Sequence, residues 1–216
     1  MTSAFTIERT WAELARTPVV VFDLDGTLID SRQAILDCWA DALHTTGLSG
    51  QVPLDERLIG PSARHVAQRL AGLGDDEGAG SLYQAFVRAY DDWGWQRCLP
   101  FLGVERQLHR LSEAGIFLHV VTNKRAWPTQ HILKSLGWMP LFASVYCPDQ
   151  FGEPIRSKAK LIGHLIEHWN INPVRAVYVG DTPQDRSAAL AHGLRFMAAW
   201  WGDATHHFPE AFVKAA

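Results

Sequence analysis

Val19-Val20-Val21-Phe22-Asp23-Leu24-Asp25-Gly26-Thr27 is the stretch that decides the fold. Its first four residues are β-branched or aromatic without interruption. Continuous rather than alternating apolarity predicts a strand covered on both faces, as in a parallel sheet. The polar residues begin where that strand stops. In extended backbone, residues two apart project to the same side, so Asp23 and Asp25 come together at the carboxyl end of the strand. Open α/β sheets bind ligands at that end. Two close carboxylates repel, and a cation relieves the repulsion. Mg²⁺ suits such a hard oxygen site. One carboxylate can attack phosphorus and form an acyl phosphate, while the other can protonate the leaving oxygen. Gly26 lets the backbone approach a phosphate closely. The competing reading is a capped turn after a strand.

Outward from this stretch the same apolar pattern recurs at 116–121, 143–147 and 176–179, and more weakly at 195–199. Helical patterns lie between these runs. Val104, Leu108 and Leu111 share a face, with Gly115 as a stop. Trp127-Pro128 opens a segment carrying Ile132, Leu133 and Leu136, closed by Gly137. Ser157 is placed to cap a helix whose stripe is Leu161, Ile162, Leu165, Ile166 and Trp169. An alanine-rich helix over 185–191 ends at Gly193. Strands alternating with helices predict an α/β fold, a Rossmann-like doubly wound parallel sheet.

Residues 31–98 break the rhythm, with no convincing strand. Ser31 is placed to cap a helix with Ile35, Trp39 and Leu43, stopped at Gly47. Gly60-Pro61 interrupts a second helical stretch, which Ser62 restarts with Val66 and Leu70. A Gly/Asp-rich loop from Gly72 to Gly80 precedes a helix with Leu82, Phe86 and Tyr90. The pattern predicts an all-helical cap inserted at 31–98 into a catalytic core formed by 1–30 and 99–216, hinged near Asp30 and Leu99-Pro100. Phe5, Ile7, Trp11 and Leu14 suggest a short helix packed on the core.

Composition narrows the function. The 216 residues, 47% of them hydrophobic, suffice for one core and an inserted subdomain. A net charge of −3, with scattered basic residues, gives no sign of a nucleic-acid partner. Apolar runs are too short to span a bilayer, and residues 1–10 do not read as a signal peptide. The three cysteines, Cys38, Cys98 and Cys147, form no CxxC pair. They read as free, buried thiols of a cytoplasmic protein.

Asp23 to Thr27 resembles the first motif of the haloacid dehalogenase superfamily, and the likeness extends over about residues 18–202 to its phosphatases with a helical cap. The resemblance implies that Asp23 is the nucleophile and that Asp25 is the general acid/base, giving also a backbone carbonyl to Mg²⁺. Val120-Val121-Thr122-Asn123 is similar to the second motif. By that likeness the Thr122 hydroxyl and the Asn123 backbone N–H hold a phosphoryl oxygen. The third motif is a lysine at a helix start. Ser157-Lys158-Ala159-Lys160 offers two candidates, Lys158 beside the loop being preferred to Lys160. The Lys-Pro pair common at this motif is absent. Val179-Gly180-Asp181-Thr182-Pro183-Gln184-Asp185 resembles the fourth motif. Asp181 would then bind the ion directly, and Asp185 directly or through water, while also orienting Lys158.

Within that superfamily, dehalogenases lack the second aspartate, and phosphonate cleavage uses a cap lysine. Residues 31–98 contain no lysine. The resemblance therefore implies a Mg²⁺-dependent phosphatase acting on a small phosphorylated metabolite, phosphoglycolate first and a nucleotide second, with a phosphosugar mutase as an alternative. Arg64, in a loop like the family's cap specificity loop, could read a substrate carboxylate or second phosphate. A different class is suggested by His164, Glu167 and His168, which match the H-x-x-E-H pattern of zinc peptidases but lack a third ligand. A binding protein with a dead site conflicts with the intact Asp23, Asp25 and Asp181. The sequence leaves the oligomeric state open.

Overall fold

The structure, a computed structural model, describes residues 4–48, 52–72, 74–153, 155 and 157–202. The five apolar runs form one sheet: β1 (Val19–Phe22), β4 (Phe117–Val121), β5 (Ser144–Tyr146), β6 (Ala176–Gly180) and β7 (Arg195–Ala198). Its order is β5-β4-β1-β6-β7, and every pairing is parallel. The residues of β1 and β6 alternate between two apolar clusters. Val20, Phe22, Val177 and Val179 belong to one, and Val21, Ala176 and Tyr178 to the other. Both faces are therefore buried, which explains the unbroken apolar runs. Helices α1 (Ala4–Leu14), α5 (Val104–Glu113) and α6 (Ala126–Ser135) contribute to the first cluster, and α7 (Lys158–Trp169) and α8 (Pro183–Leu190) to the second.

The expected insertion leaves the core through a small hairpin that the sequence pattern did not reveal. Its strands, β2 (Ile29–Asp30) and β3 (Leu99–Pro100), pair antiparallel. They stand where the hinges were expected, and two residues are too few to show a period. Between them lie α2 (Arg32–Thr46), a 3-10 turn at Glu56–Leu58, α3 (Ala63–Ala71), α4 (Asp76–Asp92) and a 3-10 turn at Gly94–Arg97. Trp39 of α2 stacks on Phe86 of α4, with ring centres 3.9 Å apart. Trp39, Phe86 and Tyr90 belong to the same apolar cluster as Val20 and Phe22.

Three local expectations are corrected. α4 begins at Asp76, so Gly78 and Gly80 lie inside it rather than in a loop. Asp75 supplies the missing start signal, its carboxylate accepting from the Gly78 N–H at 2.8 Å. A Cβ on Gly78 would lie 2.0 Å from Asp75 Oδ2, so the glycine makes room for the cap. Ser31 and Ser157 do precede helices, yet neither side chain caps its helix. Ser62 does cap α3, as expected. The three cysteines are free and buried. Among the described residues, no helix is long and apolar enough to cross a membrane.

Candidate active site

The chain runs from β1 outward through β4 and β5, then returns to place β6 and β7 on the other side of β1. The β1/β6 boundary is thus the point where strand order reverses, and a crevice opens beyond the carboxyl ends there. Asp23 and Asp181 are the first residues past those two strands. The register pairs Phe22 with Val179, and the Asp23 N–H bonds to the Val179 carbonyl at 2.9 Å. The two carboxylates are thereby fixed side by side by sheet hydrogen bonds. Asp185 joins them from the first turn of α8. One carboxylate oxygen from each of Asp23, Asp181 and Asp185 lies within 4.8 Å of the others, and all three residues are buried.

Buried acids this close require positive charge. Lys158 provides one, its Nζ donating to Asp23 Oδ2 at 2.8 Å and to Asp185 Oδ1. Lys158 is 8% exposed, whereas Lys160 faces solvent. Of the two lysines offered by the sequence, the structure brings Lys158 to the acids. Burial alone would discharge the Lys158 ammonium, but Asp185 and Asp23 more than offset it and hold its pKa above the ordinary lysine value. A single ammonium does not neutralise the group. Desolvation, only partly countered by Lys158, pushes the Asp23 carboxyl up to about 7. Asp181 is raised well above the usual carboxylate range, first by burial and then by Asp185 and Asp23.

Asp23 Oδ1 is buried without a hydrogen-bond partner, one of two such side-chain atoms among the described residues. An orphaned carboxylate oxygen beside two further carboxylates has the donor set of a hard divalent cation. Asp185 is held more tightly. Its Oδ2 accepts from the Thr182 N–H and hydroxyl in a capping box, and its Oδ1 accepts from Lys158 and from Tyr178 at 3.5 Å. Thr27 donates to Asp181 Oδ1 at 3.0 Å. Gly26 has φ +76°, and a Cβ there would lie 2.3 Å from Asp181 Oδ2. Only glycine fits between the turn and that acid.

Asp25 stands apart from this trio. Its Oδ1 accepts from Ser31 Oγ at 2.5 Å and from Lys124 Nζ at 2.7 Å. The Lys124 ammonium also lies 4.4 Å from the centre of the Tyr90 ring, and its side chain is 7% exposed. Sequence reasoning missed both partners. Ser31 read as a helix cap. Lys124 read as nothing, although it follows β4 by three residues at the carboxyl edge of the sheet, where ligand-facing residues concentrate.

Thr122 is buried, and its N–H bonds to the Tyr146 carbonyl at 3.1 Å. The Asn123 side chain donates to the Gly60 carbonyl at 3.2 Å, tying the loop after β4 to the insertion. Arg125, from the same loop, forms an ion pair with Asp91 of α4. A cavity of about 610 Å³ lies between insertion and core. Asp23, Asp25, Thr122, Asn123 and Lys124 line it from the core, while Arg64, Tyr83 and Tyr90 line it from the insertion. Arg64 is exposed, its guanidinium 4.4 Å over the Tyr83 ring. His164, Glu167 and His168 lie exposed on α7, His164 stacked on Phe151. Among the described residues they join no group of three ligand atoms.

The sequence profile of the haloacid dehalogenase-like hydrolases matches residues 20–199. The chain belongs to that family. Curated relatives include a phosphoglycolate phosphatase of Xylella fastidiosa, 32% identical over 87% of this chain and 82% of its own. Another, of Psychrobacter arcticus, is 31% identical over 77% of this chain and 76% of its own. The tyrosine-protein kinase PtkA of Mycobacterium tuberculosis is 33% identical over 85% of this chain, but only 62% of its own. The fold is shared with a predicted phosphatase from Clostridium acetobutylicum, at TM-score 0.79 and 23% identity over 93% of this chain and 91% of that one. Membership of the haloacid dehalogenase-like hydrolases makes this chain an enzyme on a phosphatase scaffold.

Proposed function

We propose that the protein is a Mg²⁺-dependent phosphomonoesterase working through an aspartyl-phosphate at Asp23. The observation that carries the reading is the unpartnered Asp23 Oδ1, buried at the floor of the cavity beside Asp181 and Lys158. Asp23 and Asp181 would hold the ion together with the Asp25 backbone carbonyl, and Asp185 would support it from behind. When bound, the ion supplies charge neutralisation for the phosphoryl group.

The chain's own residues divide the remaining work. Asp23 attacks phosphorus, the bond to the leaving oxygen breaks, and a proton passes to that oxygen from Asp25. Ser31 and Lys124 both donate to Asp25 Oδ1, so in this reading Oδ2 is the oxygen that handles the transferred proton. Asp25 then takes a proton from water as the water attacks the phosphorus of the aspartyl-phosphate, releasing inorganic phosphate and restoring Asp23. Lys158 neutralises Asp23 as it becomes phosphorylated, and Thr122 with the Asn123 N–H holds a phosphoryl oxygen. The 31–98 insertion serves as a cap that keeps bulk water from the reaction. Arg64 reads an anionic group on the substrate.

The named phosphoglycolate phosphatases make phosphoglycolate the first metabolite to assay. Three free, buried thiols agree with a cytoplasmic setting. The test is release of phosphate from p-nitrophenyl phosphate with Mg²⁺, its loss with EDTA and its loss in Asp23→Asn. Full activity in Asp23→Asn would exclude Asp23 as the nucleophile.

A further inference from the structure

Resting on the reading of Asp181 as a Mg²⁺ ligand, we infer that Trp201, braced by Trp11 of α1, is a positioning residue for that aspartate. Neither tryptophan lies within residues 20–199, the stretch matched by the family profile. Asp181 is gripped by the turn that follows β1. Thr27 Oγ1 donates to its Oδ1 at 3.0 Å. Gly26 backs its Oδ2, where a Cβ would lie 2.3 Å away. The aim of the carboxylate therefore follows the position of this turn. Mg²⁺ is sensitive to that aim, because it demands near-ideal octahedral geometry at ~2.0–2.1 Å.

The loop after β7 holds the turn from outside. Trp201 Nε1 donates to the Thr27 carbonyl at 2.8 Å. Thr27 is fully buried, so its carbonyl needs such a donor. Gly202 presses on the same turn, since a Cβ there would lie 2.3 Å from the Gly26 carbonyl oxygen. The loop is also anchored on the other side of Asp181, where the Ala199 N–H donates to the Gly180 carbonyl at 2.9 Å. The residue before Asp181 and the residue that bonds its carboxylate are thus tied to one short loop. Trp201 is itself fixed by a stack on Trp11, with ring centres 4.0 Å apart and planes at 25°. Trp11 is buried and lies 6.2 Å from the Phe22 ring. Arg195 of β7 pins the end of α1, donating to Glu13 at 2.7 Å and to the Thr17 hydroxyl at 3.1 Å. The stack leaves the indole little rotamer freedom to lose when its N–H finds Thr27.

The test is calorimetric titration of the EDTA-stripped, full-length protein with MgCl₂ alone, beside melting curves without metal. A direct partner of a metal ligand is typically worth about 10–100-fold in affinity. Trp201 acts one bond further out, so Trp201→Phe, which keeps a ring on Trp11 but removes the N–H, should weaken Mg²⁺ binding at least about fivefold. Replacing the Trp201 indole by benzothiophene, with sulfur for N–H in the same shape, should do the same and serves if the Phe variant fails to fold. Adding Trp201→Phe to Thr27→Val should cost less than it costs alone, because the bond that carries the effect is already gone. Trp11→Leu, which keeps the N–H but loses the stack, should weaken binding at least about twofold. A loss under fivefold in the isosteric variant, whatever its Tm, overturns the inference and leaves Trp201 as packing. An undiminished cost in the Thr27→Val background overturns the route through Thr27, and an unchanged affinity in Trp11→Leu detaches α1 from the site. If the wild-type protein binds no Mg²⁺, the metal reading itself falls, and this inference with it.

Discussion

Replacing Lys158 by Met tests the electrostatics of the site without changing its volume much. The ammonium is buried and donates to both Asp23 and Asp185. Removing one partner from a buried ion pair costs about 3–5 kcal/mol, because the remaining charge stays uncompensated. Here three acids remain within 4.8 Å, and an ionised pair at that distance repels by ~3 kcal/mol at an effective dielectric of 20. In a domain of this size each kcal/mol moves Tm by roughly 2–4 °C, so a drop of about 6–20 °C is expected at pH 8 without Mg²⁺. The deficit has a pH signature. Asp23 and Asp181 already sit above the usual carboxylate range, and losing Lys158 raises them further. The folded variant then binds more protons than the unfolded chain, so its stability falls as pH rises from about 5 to 8. Mg²⁺ should restore more Tm to the variant than it adds to wild type, by supplying the lost charge. Adding Asp185→Asn to Lys158→Met should recover part of the loss. Melting curves at pH 5 and 8, with and without Mg²⁺, provide the assay. A variant melting within about 2 °C of wild type in all four conditions would refute the reasoning.

Two further predictions concern residues outside the acidic trio. Lys124→Gln should lower kcat roughly 10- to 100-fold on alkyl phosphates, part of the ~10²–10⁴ that a well-placed general acid contributes. The loss should be smaller on p-nitrophenyl phosphate, whose leaving group needs no proton, and equal losses on both would remove Lys124 from the positioning of Asp25. His119, buried in β4 with Nδ1 2.8 Å from Ser144 Oγ, has its pKa pushed down by burial from 6.5 to about 4. Between those pH values the unfolded chain binds the extra proton, so acidification costs the fold about 3 kcal/mol through this residue alone. His119→Gln should flatten the stability–pH curve between pH 6.5 and 4 by about that amount relative to wild type, as read by denaturant titration. An unchanged slope would contradict the assignment.

The sheet was legible because burial on both faces leaves no polar residue in β1, and none but His119 in β4. The site was legible for a related reason. The buried acids Asp23 and Asp181 directly follow β1 and β6, and the end of a buried strand is visible as an abrupt change from apolar to acidic. Lys158 could be preferred over Lys160 from its place in the first turn, and burial beside Asp23 separates them. Other features depend on contacts between distant segments. Lys124 meets Asp25 across 99 positions of sequence, and nothing local marks it. Ser31 read as a helix cap, and the acid six residues upstream took its hydroxyl from the helix end. The start of α4 was hidden by Gly78 and Gly80, each costing about 1 kcal/mol of helix propensity. The Asp75 cap and the burial of Leu82, Phe86 and Tyr90 outweigh that cost.

A crystal structure with Mg²⁺ and trifluoroberyllate, which mimics a phosphorylated carboxylate, tests the central claim most directly. The account predicts beryllium bonded to a carboxylate oxygen of Asp23, Lys158 beside it, and the cation held by Asp23 and Asp181. Beryllium on any other side chain, or a cation bound away from Asp181, would contradict it.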